Sequence, residues 1–374
     1  MPKALFIYGT RPEAIKLAPV IIACRQRGRI EPVVCATAQH RELLDEINQT
    51  FGVKPDFDLG LMRPDQALAD LTARALTAIS EVVRKVAPAA GVVQGDTTSA
   101  MTGALACFYQ RTPAAHVEAG LRTHDLAAPF PEEMNRQLIG RVARWNFAPT
   151  DGAAENLRRE NVAAKTIQVT GNTAIDALRI IAGEGAGDPF ADLGLPAPGA
   201  GERLVLVTAH RRESFGAPFR DLCTALRAAA DRWPDLRIVY PVHPNPNVRR
   251  PVAELLSDHP RIHLVDPIGY RIFVRMLGRA WIVVTDSGGI QEEAPGLGKP
   301  VLVMRETTER PEAVSAGTAR LVGTAPERIL GAIADLHENA ASYRAMASAK
   351  NPFGDGHAAE RIEERLAADL AQSA

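Results

Sequence analysis

Residues 1–14 read MPKALFIYGTRPEA, and this stretch introduces the pattern that the rest of the chain repeats. The apolar run at 4–8 is short and is followed at once by Gly9, which is typical of a buried strand ending in a turn. Thr10 and Glu13 have the spacing of a capping box, and Pro12 suits the first turn of a helix. The stretch therefore predicts a strand, a tight loop and a helix.

The same alternation continues to the end of the chain. Strands are predicted at residues 4–8, 32–37, 91–94, 114–117, 145–148, 166–170, 204–208, 237–241, 262–265, 281–285 and 301–304. Helices are predicted between them, for example at 12–27, 66–86, 98–109 and 152–160. This order indicates repeated βαβ units, and hence an α/β fold with parallel sheets and helices on both faces.

A length of 374 residues favours two domains over one. We predict an N-terminal domain at 1–169 and a C-terminal domain at 170–355, with a Gly-, Ala- and Pro-rich insertion early in the second. Residues 356–374 predict a terminal helix, because apolar residues recur there every four positions and share one face. We expect that helix to pack back on the N-terminal domain.

Composition excludes several classes of partner. The chain has 43 basic and 44 acidic residues, a balance that favours neither nucleic acid nor a membrane surface. Its four cysteines form no C-x-x-C pair, so we expect buried free thiols in a reducing compartment. No apolar stretch approaches the roughly 20 residues that span a bilayer. We expect a cytoplasmic protein.

Polar residues gather where the predicted strands end, in both halves of the chain. They are Gly9-Thr10-Arg11, Gln94-Gly95-Asp96, Glu118, Asn172, His210-Arg211-Arg212, His243 and Asp286-Ser287-Gly288-Gly289. Ligands of parallel-sheet proteins bind at the carboxyl ends of strands. Ordinary loops are polar too, so one such cluster means little. Seven together predict two facing domains with a shared cleft.

The segment 285–303, TDSGGIQEEAPGLGKPVLV, predicts an anion site. Ser287-Gly288-Gly289 opens a helix whose free N–H groups and dipole favour phosphate. A plain glycine turn would explain these three residues alone, but Glu292-Glu293 follow one turn later, where a carboxylate can hold two ribose hydroxyls.

Cations near the first helix start also point to an anion. Arg11 and Lys16 are unfavourable beside the positive end of the helix dipole, unless an anionic ligand compensates them. Two solvated cations are the alternative. His210, next to two arginines, also suits phosphate, whereas His243 is as well explained as a turn-stabilising residue.

Three carboxylates, Asp96, Glu118 and Glu132, are candidates for proton transfer. Asp96 could instead cap the next helix, and Glu132 opens a helix, where acids are favoured in any case. Glu118 has no capping duty. No metal-ligand spacing and no G-x-G-x-x-G motif after the first strand is present, so we expect neither a metal nor a nicotinamide or flavin cofactor.

These motifs together resemble the bacterial non-hydrolysing UDP-N-acetylglucosamine 2-epimerases. The resemblance runs from GTRPEAIKLAPV at Gly9, through HVEAGLRT, PEEMNRQL and AHRRESFG, to TDSGGIQEEAPGLGKPVLVMRETTERPEAV and NPFGDGHAAERI. It implies two facing Rossmann-like domains of the glycosyltransferase GT-B type. It also implies reversible conversion of UDP-GlcNAc to UDP-ManNAc through 2-acetamidoglucal, with no cofactor and usually as a homodimer.

The resemblance also assigns roles. Asp96, Glu118 and Glu132 match the family's catalytic carboxylates, Glu293 its ribose ligand, and Phe273 a ring near uracil. The diphosphate contacts would be Arg11, Lys16, His210, Ser287, Gly288, Gly289 and Arg310, of which we also count His210 as catalytic.

Two departures from the family pattern matter, at an activator site for a second UDP-GlcNAc and at Gln94. Glu42 and Asp65 stand where some members have Gln and Arg, which puts this activation in doubt. Gln94 stands where relatives have His, so we expect that position to be dispensable.

Four other functions share parts of this pattern: a hydrolysing epimerase, an epimerase of a modified sugar, a glycosyltransferase and a non-catalytic UDP-sugar-binding regulator. The run TTERPEA argues against the first, and the three retained acids argue against the last.

Overall fold

The computed structural model describes residues 1–37, 41–63, 66–185, 187–211 and 215–372, with only the backbone at 41–43. Internal contacts divide the chain into two compact units. Unit 1 comprises Met1–Ile180 and Phe353–Ala374, and unit 2 comprises Ile181–Pro352.

Within the described residues, unit 1 is built on a seven-stranded parallel sheet. Its strands are β1 Lys3–Tyr8, β2 Glu31–Ala36, β3 Phe57–Asp58, β4 Ala90–Gln94, β5 Ala114–Val117, β6 Ala143–Ala148 and β7 Ile167–Val169. They lie in the order β3-β2-β1-β4-β5-β6-β7. The helices between them are α1 Arg11–Arg27, α2 Arg41–Thr50, α3 Leu68–Val86, α4 Thr98–Tyr109, α5 Glu132–Val142 and α6 Asp151–Arg159. The next helix, α7 Thr173–Gly183, follows β7 and crosses from unit 1 into unit 2.

The opening residues fold as their pattern predicts. Every residue of β1 after Lys3 is buried, as expected of a central strand covered on both faces. Leu5 and Ile7 pack in one core cluster with Ile79 of α3 and Ala104 of α4. α1 ends at Gly28, whose positive φ of 63° closes the helix by an N–H donated to the Cys24 carbonyl.

Unit 2 contains, among its described residues, a six-stranded parallel sheet in the order β10-β9-β8-β11-β12-β13. The strands are β8 Arg203–Thr208, β9 Leu236–Pro241, β10 Ile262–Val265, β11 Ile282–Thr285, β12 Val301–Val303 and β13 Ala319–Leu321. The helices are α8 Pro189–Asp192, α9 Ala217–Arg232, α10 Pro246–Leu256, α11 Tyr270–Arg279, α12 Gly288–Glu293, α13 Pro311–Ser315, α14 Pro326–Glu338 and α15 Ala340–Ala347. Its core joins Val205 and Ile238 of the sheet to Phe219 and Leu226 of α9.

The last helix, α16 Ala358–Ala371, belongs to unit 1 and packs on α1. Its residues at 362, 366 and 370 are buried as one apolar face. Asp176 of α7 caps it, accepting N–H groups of Ala358 and Ala359 at 3.3 and 2.8 Å. Burial raises the pKa of the Asp176 carboxyl to about 6.

The predicted fold class, two α/β units each with a parallel sheet, is confirmed. The division by contacts falls within α7, whereas composition places a domain boundary before it, near Thr170. The four cysteines are buried free thiols. None of the helices described above combines the length with the apolar character that a bilayer crossing requires.

Candidate active site

Two of the predicted carboxylates follow adjacent strands of unit 1. β4 ends at Gln94, shortly before Asp96, and β5 ends at Val117, directly before Glu118. Gln94 and Val117 are partners in the parallel ladder, so both carboxylates lie at the same edge of the sheet. The pKa of Asp96 is raised mainly by burial, and the nearby negative charge of Glu118 adds to that rise.

Glu118 is held in an unusual conformation. Its φ of 65° lies in the left-handed region, which costs a residue with a side chain about 1–3 kcal/mol. The carboxylate forms an ion pair with Lys16 and accepts hydrogen bonds from the side-chain amides of Gln94 and Asn172, the latter at 2.9 Å. Only 8% of the side chain is exposed. Strain of this kind persists where the surroundings enforce it, which is common at functional sites.

Asp96 does not cap α4. The hydroxyl of Thr97 does so, accepting the Ala100 N–H at 3.1 Å, and this removes the capping explanation for Asp96. The Asp96 carboxylate instead accepts a hydrogen bond from Arg136 Nε at 2.9 Å. The backbone carbonyl of Asp96 accepts a second one from Asn135 Nδ2 at 2.8 Å. Burial is the largest cause of the raised pKa of Asp96, and Arg136 opposes it.

His116 supports the turn that carries Asp96. It is fully buried on β5, with Nε2 2.7 Å from the Gly95 carbonyl. Burial lowers the pKa of His116 to about 4, so the ring is neutral near pH 7 and its Nε2–H donates to that carbonyl.

The two glutamates that open α5 differ in their surroundings. Glu133 is fully buried and accepts hydrogen bonds from the Thr123 N–H, Gln137 and Arg136 at 3.0–3.2 Å. Burial alone would raise the pKa of Glu133, but these hydrogen bonds outweigh it and the pKa is lowered. Glu132, the first residue of α5, is half-buried and has no hydrogen bond or ion pair within the described residues. Glu133 is thus structural, and Glu132 is available for chemistry.

The loop after β1 is fixed by Glu13. This buried carboxylate accepts the N–H groups of Gly9 and Thr10 at 3.0 and 2.7 Å and the Thr97 hydroxyl at 2.6 Å. Lys16 finds its anion within the protein, in Glu118. Arg11 is half-buried and forms no ion pair in the described part of the chain. Of these two cations, only Arg11 therefore still indicates an external anion.

In unit 2 the predicted glycine segment lies at the carboxyl end of β11. The Ser287 N–H donates to Thr285 Oγ1 at 2.9 Å, and α12 begins at Gly288. An added Cβ at Gly289 would meet no described atom within 4 Å, and one at Gly288 only the Arg211 guanidinium at 3.8 Å. Neither glycine has a positive φ, so the backbone conformation does not require a glycine at either position.

The remaining predicted contacts of unit 2 lie on α11, on α12 and before α13. Glu292 is buried and forms an ion pair with Arg310, so Arg310 already has one protein anion. Glu293, the last residue of α12, is half-buried, as is Phe273 on α11. Both retain surface for a ligand.

His210 follows β8 in a loop fixed by Asp286, whose Oδ2 accepts the N–H groups of His210 and Arg211, each at 2.7 Å. The His210 ring stacks on the ring of His243, with the two centroids 5.6 Å apart and an interplanar angle of 13°. His243 Nδ1 accepts the Asn245 N–H at 3.2 Å, the local turn role that the sequence suggested.

A family model described as UDP-N-acetylglucosamine 2-epimerase matches residues 22–367. The chain belongs to this family. The UDP-N-acetylglucosamine 2-epimerase of Escherichia coli K12 is 48% identical over 375 residues, covering 97% of this chain and 98% of that protein. The Bacillus subtilis protein of the same name is 45% identical, covering 97% and 94%. The crystal structure of the Neisseria meningitidis UDP-GlcNAc 2-epimerase bound to UDP-GlcNAc superimposes on this chain with a TM-score of 0.87. The two sequences are 42% identical, and the match covers 97% of this chain and 99% of that one.

Family membership confirms the resemblance inferred from the motifs. Of the two activator-site positions that depart from the family pattern, Asp65 lies outside the described residues, as does the side chain of Glu42. Sequence reasoning missed Arg136 and Asn135, which hold Asp96, and it gave Asp286 no role. Within the described ranges no group of three His, Cys, Asp or Glu side chains is arranged to hold a metal ion.

Proposed function

We propose that this member of the epimerase family interconverts UDP-GlcNAc and UDP-ManNAc without net hydrolysis. The observation that carries the proposal is the strained, nearly buried Glu118 beside Asp96 at one sheet edge. Two carboxylates at one edge are the groups that proton removal and return at a sugar carbon require. The names of the E. coli and B. subtilis relatives, and the UDP-GlcNAc in the Neisseria structure, support this substrate.

The reaction balances without an oxidant or a cofactor. In the first half, a carboxylate removes the proton from C2, the C–H electrons form a C1=C2 double bond, and the C1–O bond breaks with its electrons leaving on UDP. In the second half, UDP adds back to C1 of the 2-acetamidoglucal and a proton returns to the opposite face of C2. The C2 proton is not acidic by itself, so stabilisation of the departing diphosphate must drive its removal.

We assign the proton transfers to unit 1. Asp96 and Glu118 lie together at the sheet edge, and Glu132 has no competing partner in the described chain. Lys16 neutralises Glu118 in the free protein and would contact the diphosphate when the ligand is bound. Arg11 would be the second diphosphate contact from this unit.

We assign UDP binding to unit 2. Gly288 and Gly289 leave open space above the start of α12, where backbone N–H groups can approach phosphate oxygens. Glu293 would hold the ribose and Phe273 would lie against uracil. The other proposed diphosphate contacts are His210, Ser287 and Arg310. We place the reaction in the cytoplasm, since four unpaired thiols fit a reducing compartment.

The products of UDP-GlcNAc turnover test this function. Incubated with the purified protein and followed by NMR, UDP-GlcNAc should give UDP-ManNAc with no acceptor present, and free ManNAc should not accumulate. Free ManNAc and UDP as the main products would identify a hydrolysing enzyme instead. Unchanged UDP-GlcNAc would refute the epimerase function altogether.

We further propose that the protein is a homodimer that uses α4 and α5. Phe108 and Tyr109 at the end of α4 are 55% and 59% exposed, and Leu138 on the adjoining α5 is 47% exposed. Large apolar side chains exposed on packed helices are typical of interfaces between subunits.

A charge on α5 should therefore weaken the dimer. We expect Leu138→Glu to shift the mass measured by light scattering from dimer to monomer at micromolar concentration, because association would bury an unpaired carboxylate. Val169→Glu, at a 39% exposed position on β7, is the matched control and should stay dimeric. A wild-type protein that is monomeric, or a Leu138→Glu variant that remains dimeric, would contradict this interface.

A further inference from the structure

Asp286 is a buried carboxylate whose two oxygens differ in their hydrogen-bond partners. It follows β11, and only 2% of its side chain is exposed. Oδ2 accepts two backbone N–H groups, those of His210 and Arg211, each at 2.7 Å. The loop after β8 is therefore tied to the end of the neighbouring strand by one oxygen of Asp286, and this leaves the other oxygen to be explained.

Oδ1 of Asp286 is fully buried and has no hydrogen-bond partner among the described residues. Leaving a buried acceptor without a donor is unfavourable, so a donor for this oxygen is expected nearby. The imidazole of His210 lies beside it, with Nδ1 3.5 Å away, slightly beyond hydrogen-bonding distance. A small rotation of the His210 ring would bring Nδ1 within hydrogen-bonding distance of Oδ1, and the proximity of the carboxylate favours the proton on Nδ1 already in the ligand-free protein.

The His210 ring is confined on a second side. His243 stacks on it in a nearly parallel arrangement, while 45% of the His210 side chain stays exposed. Since Nδ1 is the nitrogen beside Asp286, Nε2 on the other side of the ring is the nitrogen left for a ligand. The pair thus has the arrangement in which a carboxylate fixes the tautomer and orientation of a histidine.

We infer that Asp286 is a positioning residue for the reaction: it accepts a hydrogen bond from His210 Nδ1–H and so directs Nε2 to the departing diphosphate. This rests on the proposed function of His210 as a diphosphate contact. Asp286 itself would touch neither the sugar nor UDP. Its negative charge matters as well as its shape, because only a carboxylate can accept from the two backbone N–H groups and from Nδ1–H without presenting a donor of its own.

The variant Asp286→Asn keeps the shape of the side chain and removes its negative charge, so it separates the two contributions. Its amide oxygen can still accept both backbone N–H groups, but its NH₂ group would face His210 Nδ1 and force the Nε2–H tautomer. Histidine ring ¹⁵N spectra of the full chain should show Nδ1–H for wild-type His210 and Nε2–H in the variant, with the His210→Asn spectrum identifying the signal. We expect kcat to fall about 10- to 100-fold with KM changed by less than about threefold, since ring orientation affects the step in which charge develops.

The matched control is Asp235→Asn, because Asp235 accepts from His337 Nε2 at 2.9 Å in the same unit. That substitution should change the His337 signal and leave kcat unaltered. In a His210→Asn background, Asp286→Asn should lower kcat no further. The inference is overturned if wild-type His210 is the Nε2–H tautomer, or if Asp286→Asn keeps the wild-type kcat.

The Asp286–His210 contact and the epimerase function are tested by separate measurements. The wild-type tautomer is measured in ligand-free protein, so it decides whether the Asp286–His210 contact exists even if Asp286→Asn does not fold. A wild-type protein that forms no UDP-ManNAc would refute the proposed function, and the tautomer would be unaffected by that result.

Discussion

Glu118→Gln is expected to abolish hydrogen exchange at C2 of the sugar while leaving UDP binding nearly unchanged. Glutamine keeps the size of the side chain and can accept the Asn172 N–H, but it cannot take up a proton near neutral pH. We expect the exchange rate to fall about a thousandfold, within the range that general acid–base groups contribute. Exchange is read by NMR in D₂O, and UDP affinity by calorimetry.

The control for Glu118→Gln is Glu363→Gln. Glu363 is also a buried carboxylate of unit 1 in an ion pair, with Arg29, but it lies on α16. Both variants remove a buried charge, so both should lose stability, and only Glu118→Gln should lose exchange. A Glu118→Gln variant that exchanges at more than about a tenth of the wild-type rate would show that this carboxylate moves no proton.

Glu13→Ala is expected to produce the largest loss of stability. Two backbone N–H groups and the Thr97 hydroxyl would lose their acceptor in a buried loop. At about 1–3 kcal/mol for each unsatisfied group, and with incomplete additivity, the free energy of unfolding should fall by about 3–5 kcal/mol. Denaturant unfolding followed by circular dichroism measures this.

A first-turn glutamate elsewhere serves as the control for Glu13→Ala. Glu327 occupies the first turn of α14 but is exposed, so Glu327→Ala should cost less than about 1 kcal/mol. If Glu13→Ala costs no more than Glu327→Ala, the Glu13 hydrogen bonds do not stabilise the loop. Glu13→Gln, which keeps an oxygen acceptor, should fall between the two.

The sheets could be predicted from the sequence because most of their strands are continuous apolar runs. β1, β4 and β8 are buried along nearly their whole length, and no other element gives such runs at that spacing. β3 and β13, with two and three residues, were not predicted. Both lie at the edges of their sheets, and runs so short show no periodicity.

The candidate site could be predicted only in part. Strand ends placed Asp96 and Glu118 together, because the carboxyl ends of parallel strands share one edge. Their partners could not be deduced: Arg136 reaches Asp96 from 40 residues along the chain, and Lys16 reaches Glu118 from 102. Such pairs depend on how helices pack over a sheet, which composition and periodicity do not specify.

The choice between neighbouring glutamates shows the same limit. Glu132 and Glu133 are adjacent glutamates at the start of one helix, and the sequence gives no physical reason to prefer Glu132, the residue that we named as a candidate. The structure adds a physical reason, because hydrogen bonds from Thr123, Gln137 and Arg136 occupy Glu133. The two residues are therefore distinguished by their hydrogen-bond partners, which the sequence does not show.

The origin of the C2 hydrogen tests the central claim most directly. UDP-GlcNAc incubated with the wild-type protein in D₂O should acquire deuterium at C2, both in the UDP-ManNAc formed and in the UDP-GlcNAc that remains at equilibrium. That result requires removal and return of the C2 proton by groups that exchange their own protons with the solvent. Formation of UDP-ManNAc that retains its original C2 hydrogen would contradict the proposed elimination and re-addition.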